Sequence, residues 1–333
     1  MSELFRVQNL SVVRGSQYRP EPILEDVALE LRAGEVLGVI GESGCGKTVL
    51  LSSLLGMLPE PELRAVSGNF VFHGEPLPLQ GSAPRWRDVR GPGITLVFQD
   101  PLGSLNPVLR VGSLLREVLS VRQKLSGEAL RTAELGLLKR VGLDDAERVS
   151  RSYAFQLSGG MRQRVGIALA LACKPSVLLA DEPTSSLDSV VQRQILDLLR
   201  SLVTSEKLGL VLVSHDLRVI QSISDRVAVL YSGRIVESGT TARVLSEPFH
   251  PYTRALVQCV PERRQQEERR ARFRVISGRV PAPGEITAGC RFAPRCPRKM
   301  SVCVESEPRL ETKQSRSARC VLDDHWWKDG VRT

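Results

Sequence analysis

Gly41-Glu42-Ser43-Gly44-Cys45-Gly46-Lys47-Thr48 decides the fold. The stretch fits G-x-x-x-x-G-K-[ST], and the chemistry explains each residue type. Glycines let successive backbone N–H groups turn inward and cradle phosphate oxygens. A helix opening after the loop points its positive end at the same anion. Lys47 is then placed for the β- and γ-phosphates, and the Thr48 hydroxyl for Mg²⁺. Upstream, Val36–Ile40 is a short apolar run bounded by glycines, which reads as a buried strand. Downstream, TVLLSSLLGML reads as the helix. A glycine turn ahead of any helix is the plain alternative, and the strand–loop–helix context argues against it. Cys45 reads as a small tolerated residue, with sensitivity to thiol reagents as a side effect.

Working outward, the complement lies at Val177-Leu178-Leu179-Ala180-Asp181-Glu182. An apolar strand here delivers two carboxylates at its C-terminal end, where open α/β sheets bind ligands. Asp181 is placed to hold Mg²⁺. Glu182, one residue on, is expected on the other side of the backbone, where it can polarise a water. Further buried strands are expected at Ile94–Phe98 and Leu210–Val213, and a hairpin across Arg226 to Val236 around Ser232-Gly233. Residues 1–32 read as strands interrupted by a proline-rich turn, Gly15 to Pro22. Residues 109–143 have helical spacing and little punctuation, which reads as a helical insertion. Strands alternating with helices point to a parallel sheet covered on both faces. From about Pro248 prolines, arginines and cysteines replace that pattern, so a boundary is expected there.

Composition bounds the rest. The 333 residues carry 46 Lys+Arg against 37 Asp+Glu, a net charge of +9, with 42 % hydrophobic residues. That apolar content suits a globular protein, and the length suggests about two domains. The longest stretch without charge, Thr48 to Pro59, is too short for a membrane span of about 18 or more residues. No basic region followed by an apolar run opens the chain, so a cytoplasmic location without disulfides is expected. The seven cysteines are then free, reactive or metal-bound. The excess basic charge permits an anionic partner without choosing one. The dense run from Arg263 to Arg279 reads most simply as a solvated, charge-laced connector.

Four more motifs give a family resemblance over about residues 4–245. Leu157-Ser158-Gly159-Gly160-Met161 is similar to the signature of ATP-binding-cassette (ABC) ATPases, with Met161 in the usual glutamine place. Gln99 resembles the Q-loop residue, Ser186-Leu187-Asp188 the D-loop, and His215 the switch histidine. The resemblance implies an α/β fold, an ABC-type P-loop ATPase with a helical subdomain and a small Cys-rich C-terminal extension. It implies residues 1–247 as the ATP-binding domain, with the helical subdomain at about 105–172, and 248–333 as the extension. It implies ATP and Mg²⁺ as cofactors. Gly41, Ser43, Gly44, Cys45, Gly46, Lys47 and Thr48 would bind the nucleotide, and Thr48, Gln99 and Asp181 the Mg²⁺. Glu182, His215 and Gln99 would act in hydrolysis. Ser158, Gly159, Gly160 and Asp188 would serve the nucleotide of a second ATPase subunit, a helix beginning near Met161 presenting the signature. Tyr18, 23 residues before Gly41, is the candidate to stack on adenine, against an ordinary loop tyrosine.

Phe98-Gln99-Asp100-Pro101, Ser104-Leu105-Asn106-Pro107 and His250-Pro251-Tyr252-Thr253 resemble the dipeptide, oligopeptide and nickel importer ATPases. That branch implies a second ATPase subunit (paralogue or self), two membrane permease subunits and, indirectly, an extracytoplasmic substrate-binding protein. It implies a peripheral place on the cytoplasmic face of the inner or plasma membrane, and peptides as cargo. A nickel or metal-chelate importer is the nearer alternative. A soluble ATPase acting on nucleic acid or the ribosome is the farther one, since that class usually carries two cassettes or a coiled-coil insertion. A regulatory ATPase without transport is a third. Cys290, Cys296, Cys303 and Cys320 lack the C-x₂₋₄-C pairs common in zinc sites. Spacing alone leaves zinc, iron–sulfur and free thiols open. The resemblance of GCRFAPRCPRKMSVC to importer tails points to a [4Fe–4S] cluster, with Zn²⁺ as the alternative.

Overall fold

Two long strands open the chain, β1 (Glu3–Arg14) and β2 (Glu21–Arg32). Their burial alternates loosely, as expected of strands with one face covered. The computed structural model describes residues 2–15, 18, 20–260, 276–285, 288–313 and 316–322. The basic run from Arg263 therefore lies outside the described residues up to position 275. After β3 (Val36–Ile40) and α1 (Lys47–Leu54) come β4 (Leu63–Phe72), β5 (Glu75–Leu77), α2 (Trp86–Val89) and β6 (Ile94–Val97). A helical stretch follows: α3 (Pro101–Ser104), α4 (Val111–Gln123), α5 (Gly127–Arg140), α6 (Ala146–Arg151) and α7 (Gly159–Ala172). Next stand β7 (Val177–Asp181), α8 (Ser189–Glu206), β8 (Gly209–Ser214), α9 (Leu217–Ile223), β9 (Arg226–Tyr231) and β10 (Arg234–Thr240). The chain continues through α10 (Thr241–Ser246), α11 (Pro251–Gln258), α12 (Val302–Glu305), β11 (Glu311–Lys313) and β12 (Arg316–Ala318).

The residues divide into two compact units that do not follow chain order. The first takes residues 1–5, 31–36 and 72–213. In it β6, β7 and β8 run parallel, with Ile94 opposite Val177 and Val177 opposite Gly209. Every residue of β7 and β8 is buried, which is why both read as continuous apolar runs rather than alternating ones. In the helical part, α4 packs on α5 and α7 through Leu115, Leu119 and Leu138. The Glu134 carboxylate is fully buried there and meets Arg116 at 2.7 Å and Arg131 at 2.9 Å. A buried charge without such partners would cost several kcal/mol, roughly 3–5 when one partner of a pair is removed.

The second unit takes residues 6–30, 37–71 and 214–333. Here β3 runs parallel to β9, with Leu37 opposite Arg226. The hairpin expected at Ser232-Gly233 forms between β9 and β10 and extends to Thr240. The end of the chain joins the same sheet: β12 pairs antiparallel with β10, Glu237 opposite Ala318, and β11 pairs with β12. Glu237 is fully buried and accepts from the Phe249 and His250 N–H groups at 2.8 and 2.9 Å. It thereby fixes the turn into α11. The His250 side chain caps that helix, its Nδ1 accepting from the Tyr252 N–H at 3.1 Å.

Candidate functional site

In the second unit the phosphate loop joins β3 to α1, as the strand–loop–helix reading requires. Gly41 has no room for a side chain. A Cβ there would lie 2.2 Å from the Leu230 carbonyl oxygen. Gly46 has φ +107°, a conformation that L side chains rarely adopt, and passes directly into α1. No side chain caps that helix start, so its first N–H groups face the loop as an anion site. Lys47 is 7 % exposed, and its ammonium donates to the Gly41 and Glu42 carbonyls at 2.8 and 3.0 Å. Cys45 is buried, and burial pushes its thiol up to about 11. A thiol held protonated is a weaker nucleophile than a thiolate.

Two further predicted residues stand in this unit. His215 lies exposed between β8 and α9. The next residue, Asp216, caps α9 by accepting from the Arg218 N–H at 2.9 Å. Tyr18 stands between β1 and β2 and is 85 % exposed. An accessible ring is needed for stacking on a base, and an ordinary loop tyrosine shares it.

In the first unit, β7 ends on Asp181, 9 % exposed. Glu182 leaves the strand. Its φ is +44°, in the left-handed region that costs a non-glycine residue about 1–2 kcal/mol. The alternation invoked for Glu182 therefore stops at Asp181, and a strained turn aims the carboxylate instead. Its N–H is held by the Val213 carbonyl at 3.0 Å, and its carbonyl accepts from Ser185 N–H at 3.2 Å. Strain of this kind concentrates at functional sites. Gln99 follows β6, whose Val97 lies opposite Ala180 of β7. Its Nε2 donates to Glu182 Oε2 at 3.2 Å. The structure thus brings together two of the three residues expected to act in hydrolysis.

The signature loop is in the same unit. Ser158 caps α7, accepting from Met161 N–H at 3.3 Å. The helix starts at Gly159 rather than near Met161, so both signature glycines form its first turn. Asp188 caps α8 with two bonds at 3.0 Å, from Val190 and Val191 N–H. Val191 then sits against Gly160, where a Cβ would be 2.5 Å from its Cγ1. Gly160 is small because the helix following the D-loop packs there. The Thr48 hydroxyl in the second unit and the Asp181 carboxylate in the first are each an oxygen donor of the kind that Mg²⁺, a hard cation, takes.

Cys290, Cys296, Cys303 and Cys320 line one small cavity, open in part to solvent, with His250 and Phe292 among its walls. Burial pushes the Cys290 thiol up to about 12 and Cys320 to about 11, and raises Cys296. As bare thiols they stay protonated and inert; a metal is what would draw the protons off. The donor set fits a thiolate-loving group. No group of three or more His, Cys, Asp or Glu among the described residues is placed to hold a metal ion. Neither the iron–sulfur expectation nor the zinc alternative finds a placed ligand group among them.

Sequence reasoning missed the neighbours of Glu42. Its N–H donates to the Tyr252 hydroxyl at 3.0 Å, and its carboxylate accepts from Arg295 at 2.7 and 3.0 Å. These partners lie 210 and 253 positions away, beyond any local spacing rule.

The ABC transporter family matches residues 24–185, and the oligopeptide/dipeptide transporter C-terminal region matches residues 236–303. The chain is 36 % identical to the oligopeptide transport ATP-binding protein AppD of Bacillus subtilis, over 97 % of each chain. It is 38 % identical to the dipeptide transport ATP-binding protein DppD of the same organism, over 97 % of this chain and 96 % of that one. It is 43 % identical to a probable peptide ABC transporter ATP-binding protein of Sinorhizobium fredii, over 89 % and 88 %. Among solved structures, the ATP-binding cassette MJ0796, a dimer bound to ADP and Pi, superposes with a TM-score of 0.62 at 28 % identity. That match covers 72 % of this chain and 99 % of that one. With phosphate loop, signature and C-terminal region all present in one chain, the protein belongs to the ABC transporter ATP-binding proteins of the oligopeptide/dipeptide type.

Proposed function

We propose that this chain is the ATP-hydrolysing subunit that energises import of short peptides through a membrane permease. One observation carries the reading: the similarity to oligopeptide and dipeptide transport ATP-binding proteins runs through cassette and C-terminal region alike, over 97 % of the chain. No helix among the described residues is long and apolar enough to cross a membrane. In this reading the permease is a separate partner. The subunit works peripherally, on the cytoplasmic face.

The residues divide the chemistry. Lys47 and the start of α1 take the phosphate charge, and Thr48, Asp181 and Gln99 hold Mg²⁺. Glu182 polarises the attacking water, with Gln99 and His215 meeting the γ-phosphate. Catalysis of this kind is mostly positioning and charge stabilisation. Ser158, Gly159, Gly160 and Asp188 act on the nucleotide of a second ATPase subunit, identical or paralogous, and Tyr18 stacks on the base. Residues 1–247 form the cassette and 248–333 its extension. Two permease subunits receive the motion near Gln99, and an extracytoplasmic binding protein selects the cargo. The four tail cysteines are the ligand set for an iron–sulfur cluster, which would staple a segment poor in core of its own.

Uptake of a labelled dipeptide by cells relying on this transporter tests the reading. Lys47→Ala is expected to abolish uptake while the protein still reaches the membrane fraction. Undiminished uptake overturns the ATPase role. Loss of nickel uptake with peptide uptake intact overturns the peptide assignment.

A further inference from the structure

The tail cysteines come paired with arginines: Cys290-Arg291, Arg295-Cys296 and Arg319-Cys320. In each pair the cysteine lines the cavity and the guanidinium bonds residues far away in the chain. Arg291 bonds the Glu25 carboxylate of β2 and the Ser232 carbonyl between β9 and β10. Arg319 donates to the Asp26 and Ile235 carbonyls, both at 3.1 Å. Arg295 reaches the phosphate loop itself.

The Arg295 grip is two-pronged, Nη1 to Glu42 Oε2 at 2.7 Å and Nη2 to Oε1 at 3.0 Å. Its side chain is 5 % exposed. Its remaining donors are used on Ser277 and Ile276 carbonyls at 2.8 and 3.2 Å and on the Tyr231 hydroxyl at 3.3 Å. Little slack is left. Tyr252, fully buried, packs against Tyr231 and Phe292 with ring centroids 4.5 and 5.4 Å apart, and accepts the Glu42 N–H. Phe292 lies between Cys290 and Cys296 in sequence and walls the same cavity. The Glu42 carbonyl, meanwhile, is held by Lys47. Every polar group of Glu42 is therefore engaged, two by the tail and one by the phosphate-binding lysine.

Two physical consequences follow. A shift of Glu42 redirects Lys47 and the neighbouring N–H groups that the phosphates need. An unpaired Glu42 carboxylate also repels an incoming polyphosphate, and Arg295 offsets that charge. We propose that Arg295 and Tyr252 are positioning residues for ATP: through Glu42 they hold the phosphate loop in its nucleotide-binding shape, and the packing of the cysteine cavity sets that hold. The proposal rests on the ATPase reading above and adds to it how the tail governs nucleotide affinity.

Binding of a fluorescent mant-ATP with Mg²⁺ to the full chain, alongside KM and kcat for ATP, tests it. Arg295→Gln is expected to raise Kd and KM about threefold to thirtyfold, with kcat within about threefold of the parent. Arg295→Lys recovers part of the loss, since one donor survives but the two-point geometry does not. Tyr252→Phe, which removes one oxygen and keeps the ring, raises Kd by a smaller factor and carries the test if Arg295→Gln fails to fold. Cys296→Ala raises Kd in the same direction and adds nothing to Arg295→Gln, because both act through one contact. Wild-type Kd in Arg295→Gln and Tyr252→Phe, with binding lost in Lys47→Ala, overturns the proposal. Additive effects of Cys296→Ala and Arg295→Gln overturn the link to the cavity. Undiminished binding in Lys47→Ala overturns the ATPase reading instead.

Discussion

The phosphate loop draws its glycines and its lysine from one short stretch, with Glu42 held from the tail, whereas the cysteine tail depends throughout on residues far away in the chain. Gly41 admits the Leu230 carbonyl, Gly46 supplies a positive φ, and Lys47 bonds back onto the same turn. The tail instead depends on Glu25, Asp26, Glu42 and Glu237, one or more of which each tail arginine or helix start must reach. A motif with local causes can be read from a short stretch of sequence. A segment stapled by long-range ion pairs cannot, although each pair obeys the same electrostatics. The difference also predicts how each region fails: the loop by losing chemistry, the tail by losing its hold.

The sharpest test of the chemical side is Glu182→Gln. Swapping the carboxylate for an amide keeps the shape and removes the proposed base, a role typically worth about 10²–10⁴ in rate. ATP hydrolysis by the subunit assembled with its transporter is expected to fall by at least about a hundredfold, while mant-ATP binding persists. Hydrolysis within tenfold of the parent would move the central role away from Glu182. Gly41→Ala asks whether the loop is as locally determined as it looks. A Cβ 2.2 Å from a carbonyl oxygen forces the backbone apart, and overpacking of that kind costs about 1–3 kcal/mol. Backbone has little freedom to yield, so the upper end is expected, seen as a lowered urea midpoint at unchanged m-value. A neutral Gly41→Ala would mean the loop tolerates a wider turn.

Legibility followed the same division. Strands β3, β7 and β8 were readable because both faces are buried and the residues run apolar without interruption. The sequence reading placed the hairpin turn at Ser232-Gly233 correctly, since Gly233 takes φ +80°. Gln99 and Glu182 were each legible at the end of an apolar strand, and the fold joins them by a 3.2 Å bond that the sequence did not foretell. The side of the backbone taken by Glu182 was not readable, because a left-handed residue ends the strand rule. Nor were Tyr252 and Arg295, whose contacts cross more than two hundred positions. The Cys-Arg dipeptides were visible in sequence, but only the fold shows that each cysteine and its arginine serve different neighbours.

Metal analysis sharpens the tail side. On the iron–sulfur reading proposed above, full chain purified without oxygen carries about four irons and four sulfides, with broad absorbance near 400 nm. Cys303→Ala should remove both and lower the melting temperature by about 2–4 °C for each kcal/mol lost. Zinc in place of iron would keep a staple and change its chemistry. Metal-free, folded protein of unchanged melting temperature would leave the arginine contacts as the tail's whole anchorage.

The smallest effect belongs to His250. It is 1 % exposed, and burial lowers its imidazole to about 3. The folded chain keeps it neutral, with Nδ1 accepting from Tyr252 N–H and the Glu237 carboxylate holding its backbone N–H. An unfolded histidine titrates near 6.5. Below that value the unfolded state binds the proton and the folded state refuses it, so stability is full above about pH 6.5 and falls as pH drops toward 3. At pH 5.5 the loss is about 1 kcal/mol. Thermal melts from pH 7.5 to 5.5 should show it in the parent, and His250→Asn, which can still cap α11 through its side-chain oxygen, should flatten the slope. An unchanged slope in His250→Asn would assign the acid sensitivity to the carboxylates that the tail arginines hold.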